Sequence, residues 1–191
     1  MLIAARHLLD RVRHVRSRAD EVAELRRRLA AQPTQVSDGE AGAARELRAL
    51  RERLSSAIGP VQACRGCARG HPEPHGHWEG GHCCGARTED LFNDDEIGAL
   101  RLGGTRPGRL TPPAGDHAGC AFRGPRGCSL AAADRPNVCV RYVCPDLARE
   151  LHARGDLPQV EALCARMEEV YLRFIRLRGD RLADEELSGR P

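Results

Sequence analysis

Eight of the nine cysteines lie between Cys64 and Cys144, a density that points to metal ligation or to disulfide bonding. Cys64 and Cys67 form a Cys-x2-Cys knuckle, a spacing that lets one turn aim two sulfurs at one ion. Cys139 and Cys144 are wider apart but still local. Cys120 and Cys128 bracket a turn-rich loop able to bring both back to one side. Cys83 and Cys84 are adjacent, and neighbouring side chains diverge. That pair suits two different ions, or one ligand and one supporting thiol. Eight thiolates match two four-sulfur sites, or one four-cysteine site with four packing cysteines. Such donors take Zn2+ or iron, including a [4Fe-4S] cluster, and ligand type does not choose between them.

Other groups nearby are weaker candidates. His71, His75, His77 and His82 crowd a glycine-rich stretch, and His82, beside Cys83, is the best placed of them to ligate. His117 precedes Cys120 by three positions. Taken singly, each histidine reads better as a loop residue. Arg65, Arg69, Arg87, Arg123, Arg126, Arg135 and Arg141 flank the cysteines and could offset thiolate charge. Every basic residue of this chain is an arginine, so ordinary surface arginine is an equal reading. Cys164 stands apart in a helical stretch and reads as a buried structural thiol.

Three kinds of element must position these groups. Leu8, Val12, Val15, Ala19, Val22 and Leu29 recur at helical spacing, and Leu47, Leu50, Leu54 and Ala57 or Ile58 form a second stripe. Pro33, Gly39 and Gly42 break the pattern between them, and Gly59-Pro60 stops it. Residues 1–59 are therefore expected to form a helical hairpin or a coiled-coil arm. Residues 60–145, rich in Gly, Pro, Cys and His, read as an irregular module stapled by metal. One helix is expected inside it, from Asp94 to Leu102, with Asn93 as cap and Glu96 completing a capping box. Residues 146–180 return to helix, ended once by Gly155 and restarted after Pro158. Val160, Leu163, Met167, Val170, Phe174 and Leu177 supply its stripe, and 181–191 reads as a polar, fraying tail. The predicted fold class is mainly α, with the cysteine-rich module held between helical flanks.

The order of the middle segment resembles that of the YkgJ family cysteine cluster proteins, a zinc- or iron-chelating domain family. The resemblance rests on Cys64 and Cys67, Cys83-Cys84, the acidic helix from Asp94, Gly119-Cys-Ala-Phe122, Gly127-Cys-Ser-Leu130, and Arg135-Pro-Asn-Val-Cys-Val-Arg-Tyr-Val-Cys144. It implies that all eight cysteines form the metal-binding core. This chain departs from the family pattern in placing fifteen residues between Cys67 and Cys83. The helical flanks lie outside the resemblance. Some related cysteine-cluster proteins look like iron–sulfur-dependent protein lysine methylases, and no methyl-donor domain is visible here.

Three function classes stay open on the sequence. The first is a structural or regulatory metal-binding module whose helical flanks contact a protein partner or a second copy. The second is a metal- or Fe–S-dependent enzyme, such as a protein-modifying one, which would need an open coordination position. The third is a zinc-dependent nucleic-acid binder. A net charge of +3 and only 3% aromatic residues argue against that third class. No stretch approaches the roughly 20 apolar residues of a membrane span. With no leader in view, a cytoplasmic location is expected, where cysteines stay reduced and favour metal over disulfides.

Overall fold

Asn93 turns out of helical geometry and accepts a hydrogen bond from the Glu96 amide at 2.9 Å, starting a helix where the sequence places one. In the computed structural model this is one of several helices that make the protein mainly α, with a two-stranded ribbon among the described residues. The structure describes residues 18–31, 36–64, 88–113, 120–124 and 127–188. The helices are α1 (Arg18–Ala30), α2 (Asp38–Ile58), α3 (Thr88–Leu91), α4 (Asp94–Leu102), α5 (Asn137–Arg141), α6 (Pro145–Arg154) and α7 (Leu157–Leu187). Two 3-10 turns, Pro107–Arg109 and Ala132–Asp134, and strands β1 (Arg123–Gly124) and β2 (Gly127–Cys128) complete the described elements.

Two apolar clusters organise these helices. In the first, Leu47, Leu50 and Leu54 of α2 meet Val160, Met167, Val170 and Phe174 of α7, with Leu147 and Leu151 of α6 closing one end. In the second, Val22, Leu25 and Leu29 of α1 meet Phe92, Ile97, Leu100, Leu110 and Phe122. The Phe92 and Phe122 rings lie 5.5 Å apart and tilted, the arrangement their quadrupoles favour. Helices α4 and α5 form the wall between the clusters. Ala99 and Val140 face the first, while Ile97, Leu100 and Cys139 pack on the second.

Several boundaries differ from the sequence expectation. α1 and α2, neighbours in the chain, bury their apolar stripes in different clusters, so a shared hairpin core is not what orders them. Gly39 and Gly42 lie inside α2 rather than in a break. Ser37 caps the Glu40 amide at 3.1 Å, and Gly39 lies under Leu177. The last helix runs through Gly179 to Leu187, because Arg181 bridges to buried Glu40 at 2.8 Å and to Glu185 at 2.9 Å. Gly155 ends α6 in the left-handed conformation that glycine adopts without strain. Leu8, Val12, Val15, Pro33 and residues 189–191 lie outside the described residues.

Candidate metal centre

The loop between Cys120 and Cys128 closes as a small ribbon. Arg123 N donates to Cys120 O at 3.0 Å, and β1 pairs antiparallel with β2 so that Arg123 stands opposite Cys128. Gly127 has a φ of 105°, which a side chain would strain. Cys120 is buried within the second cluster, and Cys128 is half-buried against it. Burial pushes the Cys120 thiol up to about 12 and nearby Cys128 acts the same way, while the Phe122 amide and Thr88 hydroxyl oppose them. Thr88 staples this turn to α1. Its hydroxyl donates to Glu21 Oε2 at 2.6 Å and accepts from the Ala121 amide at 2.9 Å.

Cys139 enters the same cluster from α5. Pro136 sets an extended entry to this short helix, and Arg135 Nε donates to Leu130 O at 2.9 Å, pinning the entry to the end of the ribbon. The fold thus gathers Cys120, Cys128 and Cys139 on one apolar cluster. Soft thiol donors shielded from water suit zinc or iron. Among the described residues, no three His, Cys, Asp or Glu side chains converge into a ready metal-binding group.

Cys144 is placed differently. It caps α6, its Sγ accepting from the Leu147 amide at 3.4 Å, and it packs against the first cluster. Cys64 is exposed at the end of a helical turn over 62–64. That turn is tied to α6 by Glu150, whose carboxylate accepts from the Gln62 amide at 2.9 Å and the Ala63 amide at 3.0 Å. Those two bonds hold the Glu150 carboxyl below its ordinary range. One carboxylate on α6 therefore anchors the start of the Cys-x2-Cys knuckle to the helix that Cys144 caps. Cys67, Cys83 and Cys84 lie outside the described residues, as do His71, His75, His77, His82 and His117. Arg65, Arg69, Arg87 and Arg126 lie outside them too.

Of the flanking arginines within the described residues, Arg123 is buried on the ribbon opposite Cys128. Arg135 serves the Leu130 carbonyl, and Arg141 pairs with Glu168 at 2.5 Å. Cys164 is half-buried rather than sealed in. Its thiol donates to Arg141 O at 3.3 Å, and burial pushes its pKa up.

The sequence reading missed a buried polar group beside this cluster. Arg51, Glu96 and Asn137 are almost fully buried where α2, α4 and α5 meet. Arg51 Nε donates to Asn137 Oδ1 at 3.0 Å, and Arg51 Nη1 to Ala133 O at 3.4 Å. Glu96 does not complete a capping box. Its Oε2 turns inward and accepts from both Asn137 N and Asn137 Nδ2, each at 3.0 Å. Burial pushes the Glu96 carboxyl above its usual range, against the Asn137 amide and the Arg51 charge. It also lowers Arg51 to about 10, the charge of Glu96 resisting. Nearby, Asp134 accepts from Thr105 Oγ1 at 2.8 Å, with Arg48 3.5 Å away. The sequence held one signal: Arg51 lies four residues after Leu47 and three before Leu54, on the apolar stripe itself.

No known family model, no curated protein and no solved structure matches this chain.

Proposed function

We propose that this protein binds zinc or iron through the thiolates of Cys64, Cys67, Cys83, Cys84, Cys120, Cys128, Cys139 and Cys144. In this reading it serves as a structural or regulatory metal-binding module of the YkgJ cysteine-cluster type. The observation that carries the reading is that Cys120, Cys128 and Cys139 all border one apolar cluster, brought there by a ribbon and a short helix. An ion would draw these donors together, and ligation supplies folding energy where regular structure is sparse. A bound ion would cross-link the ribbon to α5.

Among the described residues no helix is long and apolar enough to cross a membrane. We place the protein in the cytoplasm, where thiols are kept reduced for ligation.

Anaerobic purification followed by elemental analysis and a visible spectrum tests the proposal. Stoichiometric zinc in a colourless protein, or iron with thiolate-to-iron absorption near about 400 nm, supports it and identifies the metal. Cys84→Ser and Cys139→Ser should each bind metal measurably more weakly and retain less of it through purification. Metal-free wild-type protein after reducing, anaerobic purification sinks the reading, and full metal retention by both variants breaks the ligand assignment.

A further inference from the structure

We propose that Arg51, Glu96 and Asn137 form a clamp that positions Cys139 for metal, so that metal affinity depends on a buried polar triad lying outside the cysteine set. The inference rests on the metal-binding reading above. Helix α5 has five residues, too few to be stable alone. Its first residue, Asn137, is fixed from two sides. Glu96 on α4 takes both of its N–H donors, the backbone amide and Nδ2. Arg51 on α2 donates to its Oδ1. The negative neighbour sets which end of the amide faces α4, and the positive one sets which end faces α2. Both ends of the side chain are thereby specified, and with them the start of the helix that carries Cys139 two residues later.

Buried charged and polar groups are a poor way to gain stability. Desolvation offsets most of their attraction, and apolar residues of the same volume serve as well or better. What this group supplies, bonded through Asn137, is a single geometry. Thr105 and Asp134 reinforce it. Asp134 lies in the 3-10 turn just before Arg135, and Ala133 in that turn accepts from Arg51. The whole approach to Cys139, from Ala133 to Asn137, is thus held by polar bonds to α2, to α4 and to the Thr105 turn. Groups hydrogen-bonded to a metal ligand change metal affinity about 10- to 100-fold when removed, and the clamp reaches Cys139 through two residues of backbone.

Zinc affinity measured by competition with a colorimetric chelator tests the clamp, with helix content followed by circular dichroism. Asn137→Ala is expected to weaken zinc binding about 10- to 100-fold. Introduced into Cys139→Ser protein, it should change affinity by less than about twofold, because its path to the metal is then gone. Glu96→Gln, which keeps the volume and loses the charge, should weaken binding in the same direction by less. Asn137→Ala binding within about twofold of wild type overturns the clamp. So does an equal loss in the Cys139→Ser background, which would mark a general structural effect. Wild-type protein that takes up neither zinc nor iron is a different result and removes the metal reading itself. Should Asn137→Ala fail to fold, wild-type hydrogen exchange decides. Zinc loading is expected to slow exchange at the Asn137 amide and along α2 around Arg51, and unchanged rates there overturn the proposal.

Discussion

On one side of the α4–α5 wall, Val160, Met167, Val170 and Phe174 close against Leu47, Leu50 and Leu54, with Arg51 buried on the same α2 stripe. On the other, Leu25, Leu29, Phe92 and Phe122 share a cluster with Cys120, and half-buried Cys128 and Cys139 pack against it from a two-stranded ribbon and a short helix. The first side is held by two long helices whose stripes interdigitate, so its order needs nothing but the chain. The second side draws on short pieces, each tied by a few polar bonds such as those of Thr88 and Arg135. Apolar burial does most of the holding on the first. On the second, Cys120 is buried as a thiol whose ionised form burial disfavours, so a bound metal would have to displace its proton.

Removing Phe174 is the largest blow to this contrast. Phe174→Ala should destabilise the protein by about 3–5 kcal/mol. Thermal unfolding should show the same loss with and without metal, since the side chain serves the helical cluster. A loss that vanishes on metal addition would break the comparison. Leu25→Ala strikes the other side and should cost about 2 kcal/mol, the low end for such truncations, because the ribbon and short helices can relax into the space. Its effect is expected to shrink when metal is added and to loosen the Ala121 and Phe122 amides first, as read by hydrogen exchange.

The smallest effect concerns the Glu150 tether. Its carboxyl is held below the usual range by the Ala63 and Gln62 amides, so the charged form is the one the fold favours. The tether is then complete above the unfolded carboxyl value of about 4.3 and is lost as pH falls through the lower folded value. Amide proton shifts of Gln62 and Ala63, followed from about pH 6 to about pH 3, should titrate together below about 4.3 and stay flat in Glu150→Ala. Titration at the ordinary glutamate value would remove the tether from the account.

The helical side was legible because its signal is periodic. The Val160–Phe174 stripe, Gly155, Pro158 and the Asn93 cap all act within a few residues of themselves. What the sequence concealed depends on partners far along the chain. Glu96 fits a capping box locally, yet Asn137, 41 positions away, draws it inward. Gly39 and Gly42 look like breakers, yet the Ser37 cap and the cover of Leu177 keep them helical. Cysteine spacing identified donors but not their neighbours. Nothing in a Cys-x2-Cys knuckle says that Glu150 will anchor it, and nothing in Tyr-Val-Cys144 says that the thiol will cap a helix.

The separation of α1 from α2 also bears on how the chain is made. Both helices precede their partners along the chain, and neither finds its partner in the other. α1 waits for the turn at Cys120, and α2 waits for α7, as the Arg181–Glu40 bond across 141 positions shows. Closing such long loops is slow. Until the last helix has been synthesised, the apolar stripe of α2 is a natural substrate for holding chaperones, and the thiols stand open to oxidants.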